Sequence, residues 1–337
     1  MTDTTKNPAR RALLKGAALA AAAAPLAMTA VSEAEAAGGK IIGEEHWAQK
    51  GNVKLYLWRK RLNDGKKNKP VFFIVHGSSF SGRGGYDLQV PGKPNYSFMD
   101  EFARAGYDVW ALDHENYGRS TRGTGVNSNI ETGVADIEAA MPVVEKVTGQ
   151  KSFLFMGQSS GAIRAGVFTM RHPERVQRLV LDAFTWTGEK APEIMRRREQ
   201  VESYKKNTNR KMDLDTFMGI FSRDDPSTFE KEVPKALAAY ELKYGDTAPS
   251  GSYIDMAINM PMVDPTKIKC PVLITRAETD GNATDEELIE FFGKLNTKDK
   301  QFVMMRGIAH VAVLGINRHR VWHAMREFLT MPDTRKV

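Results

Sequence analysis

"FLFMGQSSGAIRAG", residues 153–166, decides how the rest of the chain is read. It joins the apolar run Phe153-Leu154-Phe155-Met156 to a segment of helical pattern, and at the junction stands Gly157-Gln158-Ser159-Ser160-Gly161. A bare Gly-x-Ser-x-Gly string is weak, because ordinary glycine and serine usage puts one in about one chain in ten of this length. Its place between a buried strand and a helix is what makes it informative. A sharp strand-to-helix turn forces strained backbone on the serine, and side chains at the two flanking positions would strike neighbouring backbone, which glycine avoids. The turn lifts the Ser159 hydroxyl above the sheet and sets it at the positive end of a helix, where developing negative charge is favoured. Ser160 is the competitor, but only Ser159 has glycine two residues away on both sides.

Outward from this junction, apolar runs alternate with helical patterns. "VKLYLW" (53–58) reads as an early strand, and the polar "NDGKKNK" (63–69) after it as a hairpin turn. "PVFFIVHG" (70–77), "YDVWALD" (107–113), "KSFLFMG" (151–157) and "VQRLVLDA" (176–183) are near-continuous apolar runs, as strands buried on both faces should be. Between them, "SFMDEFARAG" (97–106) and "GVADIEAAMPVVEKVTG" (133–149) are helical patterns that close on glycine. The alternation stops from about Thr185 to Lys269, where the chain is charged, helical in pattern and rich in methionine and aromatic residues. It resumes with "CPVLITRAETDG" (270–281), "TDEELIEFFGKLN" (284–296), "KQFVMMRGIAH" (300–310) and "NRHRVWHAMREFL" (317–329). These patterns predict an α/β protein, with a mostly parallel central sheet, helices on both faces and a helical insertion.

The order of the motifs resembles the α/β-hydrolase family over essentially the whole chain that follows the first 36 residues. That resemblance implies a chain order of serine, acid and histidine, each at the C-terminal end of a strand. Asp280, after the apolar run 271–274 and before Gly281, matches the acid; Glu278 and Asp285 are its rivals. His310, between the last strand pattern and the last helix pattern, matches the histidine, with Gly307 and Ala309 clearing space around it. The chemistry needs all three residues. A serine hydroxyl is a poor nucleophile until a histidine takes its proton, and a carboxylate fixes the orientation and charge of that histidine. "FFIVHGSSFSG" (72–82) matches the family's His-Gly turn, His76 and Gly77 shaping a loop that donates one oxyanion N–H from Ser78 or, alternatively, Ser79. The other oxyanion donor is the Ser160 N–H. "ALDHENYGRST" (111–121) resembles the family's Asp-x-x-Gly-x-Gly-x-Ser loop, with Asp113, Gly118 and Ser120 in place and Asn116 where the first glycine would stand. Asparagine tolerates a left-handed backbone, so the turn can survive the exchange.

The same resemblance implies that the insertion forms a lid over Ser159. Its Trp186, Met195, Tyr204, Phe217, Met218, Phe221, Tyr253, Met256 and Met260 either pack the lid onto the core or line a pocket for a compact apolar or aromatic substrate. The expected domains are therefore a signal at 1–36, the first part of the core at 37–184, the lid at 185–269 and the second part of the core at 270–337.

Among the 337 residues, 42% are apolar and 26% charged, which is ordinary globular usage able to bury a sizeable core. The net charge of +7 is spread along the chain, and Arg196-Arg197-Arg198, followed by Glu199 and Glu202, reads as a solvated helix face. Nucleic-acid binding is not expected. Cys270 is the only cysteine, which excludes an intrachain disulfide and a cysteine-based zinc cluster. His319 and His323 read as helix residues without a third metal ligand, and the glycines at 82–85 lack the Lys-Ser/Thr ending of a phosphate loop. Neither metal nor cofactor is called for.

At the N-terminus, Arg10-Arg11 precede Leu13-Leu14-Lys15, an alanine-rich stretch and Ala34-Glu35-Ala36. This is similar to a twin-arginine (Tat) export signal cleaved after Ala36, and the stretch from Gly16 to Val31 is too short and weakly apolar for a membrane span. The expectation is a periplasmic or secreted enzyme, not held in the membrane after cleavage, that hydrolyses a small apolar or aromatic carboxylic ester through an acyl-enzyme. Amide, peptide or lactone hydrolysis, peracid formation and a catalytically silent ligand-binding role are the alternatives.

Overall fold

The computed structural model describes residues 39–333, so the signal expected at residues 1–36 lies outside them. Eight strands form one sheet: β1 (Lys40–Lys50), β2 (Val53–Asn63), β3 (Val71–Val75), β4 (Asp108–Leu112), β5 (Phe153–Gln158), β6 (Val176–Asp182), then, after the inserted run, β9 (Val272–Ala277) and β10 (Lys300–Met305). Their spatial order is β1-β2-β4-β3-β5-β6-β9-β10. Two short strands within the insertion, β7 (Asn209–Lys211) and β8 (Thr247–Pro249), pair separately and antiparallel. From β4 to β10 the sheet is parallel, and β2 runs antiparallel to both of its neighbours.

The apolar runs are buried on both faces. In β3, Phe72 and Ile74 join one apolar cluster while Val71, Phe73 and Val75 join the other, the two-residue period of a strand. Helices Phe98–Arg104 and Arg318–Leu329 contribute to the first cluster; Ile130–Thr148, Ser160–Arg171 and Asp285–Lys294 contribute to the second. Gly149, at φ 73°, ends the helix Ile130–Thr148 as its pattern predicts.

The hairpin expected at 63–69 is corrected. β2 pairs with β1 and β4, not with β3, and the tight turn lies earlier, at Gly51-Asn52, with Lys50 opposite Val53 and Gly51 at φ 56°. β1 escapes the sequence reading because it is an edge strand of which only Ala48 is buried. At the corresponding point of the family loop, Asn116 adopts φ 68°, the left-handed conformation anticipated for it.

Between β6 and β9 the described chain forms five α-helices, Pro192–Glu199, Val201–Lys206, Leu214–Ser222, Glu232–Glu241 and Gly251–Ile258, around the small β7–β8 ribbon. This run is tied to the core by a buried acid. Glu241 Oε1 accepts from the Ser81 N–H at 3.0 Å and the Ser81 hydroxyl at 2.6 Å. Burial dominates and raises its carboxyl to about 7, against the lowering effect of those bonds. A carboxyl raised in the folded state is ionised at a cost once pH passes that value, whereas the unfolded group ionises near 4.5. Glu241→Gln removes that cost and keeps an acceptor for Ser81. The variant is expected to gain about 2 kcal/mol relative to the parent between pH 5 and pH 8, read from urea midpoints. A difference independent of pH would contradict this account.

Candidate active site

β5 runs directly into the helix Ser160–Arg171, and Ser159 stands between them at φ 57°, ψ −126°. A non-glycine residue in that region is strained and persists only where its surroundings hold it. The flanking glycines show what holds it: a Cβ at Gly157 would overlap the Gly161 carbonyl, and one at Gly161 would overlap the Val75 and His76 carbonyls. The Ser159 N–H donates to the Asp182 carbonyl at 2.9 Å, which ties the bend to the end of β6.

His310 follows β10 in the chain. Its Nδ1 lies 2.9 Å from Asp280 Oδ1, just beyond the end of β9. With the Nδ1 proton donated to Asp280, Nε2 keeps its lone pair, and Asn282 Nδ2 donates to it at 3.3 Å. The Asn282 N–H also donates to Asp280 Oδ1, at 2.9 Å. Burial by itself raises the Asp280 carboxyl, but the facing His310 ring and Arg223 outweigh it and bring it down to about 2. Asp280 is therefore a carboxylate at any ordinary pH. Its rivals are engaged elsewhere: Glu278 accepts from the Gly307 N–H at 2.8 Å and Asp285 from Arg276 at 2.8 Å.

Ser159 and His310 line one cavity of about 30 Å³, with Ser78 and Ser79 beside them. The residues expected to act as nucleophile, base and first oxyanion loop thus line the same cavity. No hydrogen bond joins Ser159 Oγ to His310 among the described residues. On the oxyanion side, the Ser78 hydroxyl donates to Ser160 Oγ at 2.7 Å and accepts from Ser252 at 2.8 Å, which locks the two loops together. The backbone N–H groups of Ser78, Ser79 and Ser160 donate to no other backbone group outside regular helix or strand pairing. Ser78 and Ser79 both remain eligible as the loop donor.

His76 is fully buried below this loop. Its Nδ1 donates to the Gly77 carbonyl at 2.7 Å and its Nε2 accepts from the His114 N–H at 3.0 Å, while burial first and the neighbouring His114 and Arg164 next keep it neutral. It shapes the loop and does not face the cavity.

Two groups of residues at the site were not anticipated. Asp182 closes β6, accepting from Gln158 Nε2 at 3.0 Å and Thr275 Oγ1 at 2.7 Å, and burial raises its carboxyl to about 6. The second group is cationic. Arg197 and Arg223 line the cavity, with Tyr253, Ile220, Phe80 and Val311. The solvated face assigned to Arg196-Arg197-Arg198 is therefore corrected for Arg197, which is 2% exposed. Arg197 follows Ile194 by three residues on the inward face of its helix, and that helical spacing was the available signal. Of the nine methionine and aromatic residues named in the insertion, Tyr253 lines the cavity and the others do not; Trp186, Phe217, Phe221 and Met256 are core. Among the described residues no three His, Cys, Asp or Glu side chains gather as a metal site requires.

The sheet order, the bend at Ser159 and the inserted helices define an α/β-hydrolase fold. A family model described as "Serine aminopeptidase, S33" matches residues 95–314, and the chain belongs to that family of hydrolases. Solved structures share the fold at low identity. An esterase from Thermogutta terrifontis is 19% identical with a TM-score of 0.60, the match covering 85% of this chain and 98% of that one. A 2-hydroxy-6-oxo-6-phenylhexa-2,4-dienoate hydrolase from Rhodococcus is 14% identical at TM-score 0.61, covering 86% and 98%. A hydrolase from Pseudomonas aeruginosa is 16% identical at TM-score 0.62, covering 86% and 99%. No curated protein matches the sequence.

Proposed function

We propose that the protein hydrolyses a small carboxylic ester through an acyl-enzyme, with Ser159 as nucleophile, His310 as general base and Asp280 as its partner. The observation that carries this reading is the Asp280–His310 pair, 2.9 Å apart, opening on the cavity that holds the strained Ser159. His310 Nε2 takes the Ser159 proton once Asn282 gives up its bond to that nitrogen, since such contacts often tighten only with substrate in place. The carbonyl oxygen becomes an oxyanion between the Ser160 N–H and that of Ser78 or Ser79. Preorganised donors aimed at developing charge usually supply the largest part of such catalysis. The leaving alcohol takes the proton from His310, and water, deprotonated by the same ring, releases the acid and frees Ser159.

A cavity of about 30 Å³ admits one or two waters, so the helices Pro192–Glu199, Leu214–Ser222 and Gly251–Ile258, which contribute its outer wall with Arg223, act as a lid that yields to substrate. The family's description names an aminopeptidase, but an amino terminus is cationic and this wall carries Arg197 and Arg223. Like charges disfavour that substrate, which supports an ester. A panel of para-nitrophenyl esters, amino-acid anilides and lactones tests the reading. Esters are expected to turn over fastest; anilides turned over faster would contradict it.

We also propose export by a Tat-type route with cleavage after Ala36, on the strength of Arg10-Arg11 and the stretch that follows. Among the described residues no helix is long and apolar enough to cross a membrane. Mass spectrometry of the exported protein is expected to find Ala37 first, and an intact Met1 would refute the cleavage.

A further inference from the structure

Arg197, on the helix Pro192–Glu199, is buried and faces the cavity, yet its donors are poorly matched. Nε has no hydrogen-bond partner, Nη1 meets only the thioether of Met256 at 3.3 Å, and Nη2 reaches Glu193 Oε1 at 3.3 Å. That same Glu193 is shared with Arg196 at 2.7 Å and Arg223 at 3.3 Å. Arg223 has Asp224 besides, at 2.8 Å. Arg210 donates only to carbonyls, those of Ser78 at 2.5 Å and Pro249 at 3.3 Å.

The local charge does not balance. Arg196, Arg197 and Arg223 share Glu193, Arg223 pairs with Asp224 and lies near Asp280, and Arg210 has no carboxylate partner among the described residues, so four guanidiniums stand against three carboxylates. Arg197 and Arg210 also lie 4.1 and 3.8 Å from the Tyr253 ring centroid. Their field outweighs the opposing effect of burial and brings the phenol down to about 7. Buried guanidiniums are retained where an anion completes their hydrogen bonds, and their planar fork suits a carboxylate.

We propose that Arg197 and Arg223, flanked by Tyr253, form a subsite for a carboxylate on the substrate, so that the ester hydrolysed is a small one carrying its own negative charge. This rests on the hydrolase reading above and adds the charge of the substrate to it. The subsite lies in the same cavity as Ser159, which places the carboxylate a short spacer from the carbonyl attacked.

The test compares the para-nitrophenyl half-ester of glutarate with its methyl-capped neutral diester on the full chain and on Arg197→Met. The parent is expected to favour the anionic ester by about tenfold or more in kcat/KM, and Arg197→Met to collapse that preference to within about threefold. The ratio is insensitive to how much of a variant folds. On the parent alone, glutarate is expected to inhibit competitively and glutaramide not. Equal use of both esters by the parent, or a preference that survives in Arg197→Met, overturns the subsite. Fluorophosphonate labelling run on the same samples separates the two claims: labelling at Ser159 without charge preference sinks only the subsite, whereas no labelling sinks the hydrolase reading and the subsite with it.

Discussion

Ser159→Ala is expected to lower kcat/KM on the preferred ester by on the order of 10⁴-fold or more, leaving only what the oxyanion donors and binding supply. The loss is chemical, since the substitution removes one oxygen that has no hydrogen-bond partner among the described residues. Alanine inherits the strained φ of 57° and keeps the Asp182 contact of the backbone N–H, so the thermal midpoint should stay within a few degrees of the parent. Ser160→Ala makes the contrasting case. It removes the acceptor of the Ser78 hydroxyl but retains the backbone N–H assigned to the oxyanion, and its loss should be far smaller. Progress curves on one ester, with both variants at matched concentration, check the pair. Comparable losses in the two would move the nucleophile away from Ser159.

Asp280→Asn carries the second large effect. An amide in place of the carboxylate can present a donor to His310 Nδ1, which drives the ring proton to Nε2 and removes the lone pair that accepts from Ser159. A loss of about 10⁴-fold in kcat is expected if the proposed roles hold, by analogy with the same exchange in Ser-His-Asp sites. Stability changes too, and its sign follows from the lowered carboxyl. The Asp280 group titrates at about 2 when folded against 3.8 for a free aspartate, so its ionised form stabilises the fold at and above ordinary pH and that contribution is lost as pH falls towards 2. Asp280→Asn should cost about 2 kcal/mol at neutral pH and progressively less in acid. Urea titrations at pH 7 and pH 3 measure the difference, and an equal cost at both would contradict the assigned role of the carboxylate.

The sequence exposed those features whose physics is local. Gly157 and Gly161 announce a bend because no other side chain fits against the carbonyls that pack there, and the strands from β3 to β6 announce themselves because both of their faces are buried. Asp280 and His310 were placed by chain order through resemblance, and the fold brings them to 2.9 Å across 30 residues. β1 was invisible for the opposite reason: an edge strand with one buried residue carries no strong apolar period. The cavity wall was hidden more deeply. Arg197 sits in a run of three arginines whose composition says solvent, and only the phase of a short helix sends one of them inward. Methionine and aromatic residues of the insertion are compatible either with packing onto the core or with lining a pocket, and Trp186, Phe217, Phe221 and Met256 fill the core beneath the helices, because packing the insertion onto the sheet consumes apolar surface first. Asp182 illustrates a third limit. A carboxyl at a strand end reads as ordinary until tertiary contacts with Gln158 and Thr275 show that it braces the bend.

Peptide mapping of the protein after reaction with a fluorophosphonate tests most directly whether the bend at residue 159 carries an activated hydroxyl. The phosphonyl group is predicted on Ser159 alone, with labelling abolished in His310→Ala although Ser159 remains. An adduct on Ser160 or elsewhere, or labelling of Ser159 that proceeds equally well without His310, would contradict it.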